Sequence, residues 1–159
     1  MAPLVLGVFL AATPATPGQI VHRLFVEAQR SSEAASPDPG RLAAAVLRDF
    51  DFEALTRAAV GPDFSALSAR DQTELSALLG RVVAHAFARR VLARPGPPLA
   101  VSVGTVAIDG DVARVDATLA QGGDRYALTA HLTRPGPAGA WKLVDLVNDG
   151  SSVVETYRR

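Results

Sequence analysis

Cysteine is absent from all 159 residues. That removes disulfides, zinc–thiolate centres and a cysteine nucleophile together, so the fold must rest on its core alone. An excess of charge of either sign is also missing, because 16 Lys plus Arg balance 16 Asp plus Glu. A nucleic-acid binder normally carries a basic stripe or patch, and a protein that docks on anionic lipid by charge carries a polybasic segment. The even balance argues against both. Metal-ligand spacing is lacking too: His22, His85 and His131 are scattered, with no H-x-x-x-H or H-E-x-x-H. No G-x-S-x-G elbow, P-loop or G-x-G-x-x-G is present.

What is present is an ordinary globular composition, 48% apolar and 20% charged, at a length that suits one domain with a single core. The chain opens on an apolar run, Pro3 to Ala12, containing Leu4, Val5, Leu6, Val8, Phe9 and Leu10. It has the length of a signal-peptide apolar region and is too short to span a bilayer. Thr13, Pro14 and Ala15 offer a small-residue cleavage site. Met1 and Ala2 supply none of the basic residues that usually open such a signal. Residues 1–18 are expected to be a signal peptide and a flexible join (TPATPG), and residues 19–159 a single folded domain. The competing view makes the apolar run a strand or helix of the core.

From Gln19 to Gly96 the punctuation is helical. Ile20, Val21, Leu24, Phe25 and Ala28 recur at helix spacing, and Leu42, Ala45, Val46 and Phe50 repeat the pattern after the Ser36–Gly40 turn. Asp51 is placed to cap a short helix, and Ser68-Ala69-Arg70-Asp71 has the form of a helix start. Leu75, Leu78, Leu79, Val82, Val83, Ala86, Phe87 and Val91 then form one wide apolar stripe. After Pro98 the period changes to two. Val101, Val103 and Thr105 open the first strand, and the Asp109-Gly110 turn leads to Ala113, Val115, Ala117 and Leu119. Tyr126, Leu128, Ala130 and Leu132 follow, then Trp141, Leu143, Asp145 and Val147. The expected fold is α+β: N-terminal helices on a C-terminal four-stranded antiparallel meander, NTF2-like, with an apolar cavity between. The long helix from Ser68 is expected to cover the sheet.

The closing residues carry a resemblance. Trp141-Lys142-Leu143-Val144-Asp145-Leu146, then Asp149-Gly150-Ser151-Ser152-Val153-Val154, then Tyr157-Arg158, resemble the final signature of the MlaC (toluene-tolerance auxiliary) family. Asp51-Phe52-Glu53-Ala54-Leu55-Thr56-Arg57 and the Val60-Gly61 to Gln72 stretch resemble two of its helical segments. Ser151 stands where that family usually has Val. Members also usually continue past Tyr-Arg with a further helix; if that helix closes the pocket, the pocket here is expected to be more open or to be completed by a partner. The resemblance implies a periplasmic protein, exported by its N-terminal signal. It would carry phospholipid, or a hopanoid-type lipid, between an outer-membrane lipoprotein complex and an inner-membrane ABC transporter complex containing an MCE-domain protein. It implies a monomer with no catalytic activity, no cofactor and no nucleic-acid partner.

A carrier needs a long apolar pocket. The expected lipid-contacting residues are Leu75, Leu79, Val83 and Phe87 on the long helix, and Val103, Val115, Leu128, Leu132, Leu143 and Val147 on the sheet. Tyr157 is expected at the gate or headgroup. Each could instead simply fill a core. Asp145 is expected to hold the final segment as a hydrogen-bond acceptor. The alternative function is an NTF2-like isomerase or hydrolase, with Asp116 or Asp145 as general base in an apolar pocket. A third possibility is an interaction module with a filled core and no ligand.

Overall fold

The structure is a computed structural model that describes residues 13–158 apart from 94, 95 and 98. The apolar run of the first twelve residues lies outside the described residues. Thr16 caps the first helix, its hydroxyl accepting from the Gln19 N–H while the Gln19 side chain accepts from the Thr16 N–H. Helix α1 (Pro17–Glu33) therefore includes the end of the expected join. Proline is well suited to the first helical position, where its missing N–H is not needed. Helix α2 (Pro39–Asp49) is capped by Asp38, and α3 (Phe52–Val60) by Asp51. A single turn, α4 (Asp63–Ala66), precedes the long α5 (Ala69–Leu92), capped by Ser68 as its sequence suggested.

The second half is a meander: β1 (Ala100–Asp109), β2 (Val112–Gln121), β3 (Asp124–Thr133), β4 (Lys142–Asn148) and the two-residue β5 (Ser151–Ser152). All neighbours pair antiparallel in chain order. The short α6 (Val153–Tyr157) follows β5 and packs against α3. The fold is thus the expected α+β arrangement, with a fifth strand added to the expected four.

Two irregularities in the sheet change which residues face inward. Between Val103 and Val106 the β1–β2 register shifts, so two residues of β1 oppose one of β2. Gly104 sits in this bulge, where a Cβ would come within 3.2 Å of the Asp116 carbonyl oxygen. A bulge of this kind reverses the alternation beyond it. Val106 and Ile108, rather than Thr105, continue the side begun by Val101 and Val103. The second shift lies in β4, where His131 pairs with Asp145 but Leu132 pairs with Leu143. Beyond it Leu146 pairs with Ala130 and Asn148 with Leu128, on the inner face. Val147 pairs with Thr129 and so points to the outer face, contrary to the strict alternation read from Leu143.

The cover of the sheet also differs from expectation. Helix α1 lies across β1 and β2, burying Ile20, Val21, Leu24, Phe25 and Ala28. Removing each large apolar side chain from water contributes about 1.5–3 kcal/mol. Helix α5 packs mainly on α2 and α3 and forms a second helical layer. Its buried residues are Ser76, Gly80, Val83, Ala84 and Ala88, most of them small. At Gly80 an added Cβ would come within 3.0 Å of the Phe52 ring, so glycine permits this close approach. Leu78 and Val82, in the wide apolar stripe, are 52% and 54% exposed. The stripe was wider than the contact, because α1 already occupies the sheet.

Among the described residues one charged side chain is buried. Asp49, at the end of α2, is 1% exposed and accepts from Arg23 at 2.6 Å and from Arg48 at 2.9 Å. Burial alone would raise its pKa, but the hydrogen bonds from Arg48 and Arg23, with their charges, outweigh this and hold it below the ordinary carboxylate value. Lys142 donates to the Arg48 carbonyl and ties β4 to the same corner.

Candidate functional site

One end of the inner face of the sheet is not filled by helices. There the strands and helix ends enclose a pocket of about 700 Å³. Its floor is Leu119 of β2, Tyr126 and Leu128 of β3, and Leu146 and Asn148 of β4. Phe25 of α1 and Phe87 of α5 form one wall, their rings edge to face with centroids 6.2 Å apart. Val91 and Leu92 extend that wall, and Val153 of α6 closes the other side. Edge-to-face packing holds both rings in place without filling the space beneath them.

The rim is polar. Ser32 and Glu33 come from the end of α1, Arg90 from α5, Gln121 from the end of β2, and Asp149 and Ser151 from the β4–β5 turn. Glu33, Arg90 and Asp149 are all solvent-exposed. That turn holds Asp149 at φ +47 and Gly150 at φ +79. Both are left-handed, the pattern that lets a two-residue loop match the twist of its strands. An apolar floor beneath an exposed, mixed-charge rim suits an amphiphile with its tail inward. Sites for small molecules commonly enclose about 300–1,000 Å³.

The residues expected to contact a lipid divide sharply. Phe87 and Leu128 line the pocket. Val115, Leu132 and Leu143 are 0% exposed and sit in the packed part of the core. Val83 is buried on α5, and Leu79 and Val103 are partly buried against the core. Val103 meets α1 close to Gly18. Leu75 is half-buried in the first half of α5, and Val147 is on the outer face. Tyr157 is half-buried against the core from α6, and Arg158 pairs with Glu155 and donates to the Ala58 carbonyl. None of these lies among the pocket-lining residues. Leu119, Leu146, Asn148 and Phe25 do, and were not singled out. For Leu146 and Asn148 the cause is the β4 bulge, which strict alternation cannot anticipate. Phe25 and Leu119 were legible as inward-facing but had no mark separating them from core.

The carboxylates of the enzymatic alternative are elsewhere. Asp116 is half-buried on β2, outside the pocket lining, and interacts with Arg114 and Thr129. Asp145 performs the structural task expected of it. Its Oδ1 accepts from the Leu146 and Val154 N–H groups and its Oδ2 from the Ser152 hydroxyl at 2.6 Å. One side chain thus fastens the β4 bulge to the first turn of α6. His22, His85 and His131 are exposed, and no cluster of three potential metal ligands occurs among the described residues.

No curated protein matches the chain. Among solved structures, the fold matches the phospholipid-binding protein from Ralstonia solanacearum, determined in complex with a phospholipid. The TM-score is 0.69 at 23% identity, covering 91% of this chain and 84% of that one. At that identity the match establishes a shared fold. The helical half and the closing Trp141–Arg158 segment belong to one pattern, and the family model described as MlaC protein matches residues 20–159, so the chain belongs to the MlaC family.

Proposed function

We infer that this protein is a lipid carrier that holds the acyl chains of one phospholipid in the pocket between α1, α5 and the open end of the sheet. The observation that carries this is the pocket itself: about 700 Å³ with Phe25, Phe87, Leu119, Leu128 and Leu146 inside and its charges only at the rim. Each methylene taken from water contributes about 0.8 kcal/mol. Ten buried methylenes would supply about 8 kcal/mol, enough for a micromolar complex. The headgroup stays at the rim, where Glu33, Arg90 and Asp149 remain hydrated. The phospholipid held by the Ralstonia protein of like fold supports the same class of cargo.

The carrier works in the periplasm as a monomer, with the residues before the Thr16 cap as export signal and join. It moves lipid between an outer-membrane lipoprotein complex and an inner-membrane ABC transporter complex with an MCE-domain protein. Membership of the MlaC family supports this assignment. Among the described residues no helix is long and apolar enough to cross a membrane. Binding and release need no bond to be made or broken, and neither Asp116 nor Asp145 lines the pocket.

Native mass spectrometry of the protein purified from its envelope, followed by lipid extraction, tests this. The expected result is one bound phospholipid per chain. A clean apoprotein that also takes up no labelled phospholipid from vesicles would overturn the carrier function.

A further inference from the structure

Among the described residues one buried side-chain polar atom lacks a hydrogen-bond partner, and its residue lines this pocket. Asn148 lies on the inner face at the end of β4, opposite Leu128. Its Oδ1 is buried and has no hydrogen-bond partner. Other polar groups of the lining are already engaged within the protein. Ser152 donates to Asp145, Thr156 to the Ser152 carbonyl, Ser32 to the Gln29 carbonyl, and Gln121 to the Pro97 carbonyl. A buried acceptor without a donor forfeits its hydration with nothing in return, and such groups are rare in folded proteins. Here the missing donor has room to arrive from the pocket. When a lipid displaces water from the pocket, the donor comes from the lipid's polar part, because hydrocarbon has none to give.

The rim around Asn148 carries both signs of charge. Arg90 is suited to a phosphate, and Glu33 and Asp149 to a cation beyond it. We propose that Asn148 selects the headgroup: its Oδ1 accepts a hydrogen bond from a headgroup ammonium or hydroxyl while Arg90 meets the phosphate. Ethanolamine and glycerol headgroups both offer such a donor. A choline headgroup offers none, since its nitrogen carries only methyl groups. A site with a buried polar group discriminates strongly against the analogue that leaves it unpaired. The inference rests on the carrier function above and assigns that pocket a preference.

The test uses the full chain and mixed vesicles containing equal amounts of phosphatidylethanolamine, phosphatidylglycerol and phosphatidylcholine with identical acyl chains. Extracted lipid is read by native mass spectrometry. The wild-type protein is expected to hold the ethanolamine and glycerol lipids about tenfold over the choline lipid, the ratio of one modest hydrogen bond. A lead of ethanolamine over glycerol identifies the ammonium as donor, and parity identifies the hydroxyl as equally good. Asn148→Leu is expected to extract lipid still but to lose the ranking. Equal extraction of all three by the wild type, or an unchanged ranking in Asn148→Leu, overturns the headgroup assignment and leaves the carrier standing. Extraction of no lipid at all overturns the carrier function as well. Should Asn148→Leu fail to fold, the wild-type ranking decides alone.

Discussion

The two ends of the sheet's inner face are built from the same three strands and have opposite fates. At one end Val115, Ala130, Leu132 and Leu143 are fully buried, and Phe50 bridges to Leu143 before Asp51 donates to the Leu143 carbonyl at 2.8 Å. At the other end Leu119, Tyr126, Leu128, Leu146 and Asn148 form a pocket floor. The alternation of apolar residues along β2 and β3 is the same at both ends. What differs is what stands opposite: α1 and the α2–α3 corner at the closed end, and at the open one Phe25 of α1 with the C-terminal parts of α1 and α5, which leave a space above the strands. A strand pattern reports which side is dry and not whether that side is full.

Paired truncations should break or confirm this contrast most strongly. Leu143→Ala at the closed end is expected to cost about 2–5 kcal/mol, because it leaves a cavity that rigid neighbours cannot refill. Leu128→Ala at the open end should cost clearly less, since it enlarges a space that already exists. Denaturant unfolding of the lipid-free proteins measures both, and equal losses would mean the two ends are packed alike. Asp49→Asn is expected to cost about 1–3 kcal/mol by unpairing Arg23 and Arg48 at the corner of the closed half. Its pH dependence has a definite sign. The folded pKa lies below the unfolded value of about 3.9, so the ionised pair stabilises the fold above that pH. The difference in stability between wild type and Asp49→Asn should be constant from pH 7 to about 5 and shrink as pH falls through the folded pKa.

Filling the open end should separate binding from stability. Phe87 and Val91 form the α5 wall of the pocket and are only partly buried. Val91→Trp is expected to change stability by no more than about 1 kcal/mol and to reduce phospholipid uptake about tenfold or more, because the indole takes space meant for methylenes. Vesicle extraction together with thermal unfolding reads the two effects independently. A large stability loss with normal uptake would show that this wall is part of the core.

The layout of the fold was largely legible in sequence. The caps at Asp51 and Ser68, the inner stripe of α1 and the hairpins of the meander all follow from local rules. Asp145 was also read correctly as a structural acceptor. Less legible was the division of labour between helices. The α5 stripe of Leu75, Leu78, Leu79, Val82, Val83 and Phe87 implies a sheet-sized partner, whereas of these only Val83 is buried, and the rest of the contact is made through Ser76, Gly80, Ala84 and Ala88. Small residues carry little weight in a hydrophobic pattern, yet they decide how near two helices come. The candidate site suffered most, because most of its expected residues were the best core formers in each strand. Good core formers are those the helices cover, and a pocket lies where cover is missing.

The smallest expected effect tests the β4 bulge, on which the identity of the pocket floor depends. Without the bulge, Val147 would share the inner face with Leu143, and Leu146 and Asn148 would face outward. With it, Val147 pairs with Thr129 on the outer face, while Leu146 is 6% exposed and lines the pocket. Val147→Thr keeps the β-branched shape and adds one hydroxyl. On the outer face that hydroxyl stays within reach of water, and the change should cost about 0.5 kcal/mol or less, with unaltered lipid uptake. On the inner face it would enter an apolar environment without a partner and cost about 1–3 kcal/mol. Unfolding of this single variant therefore distinguishes the two registers. A near-neutral result places Leu146 and Asn148 on the pocket floor by the geometry of the strand, because inward and outward residues must alternate on either side of the bulge.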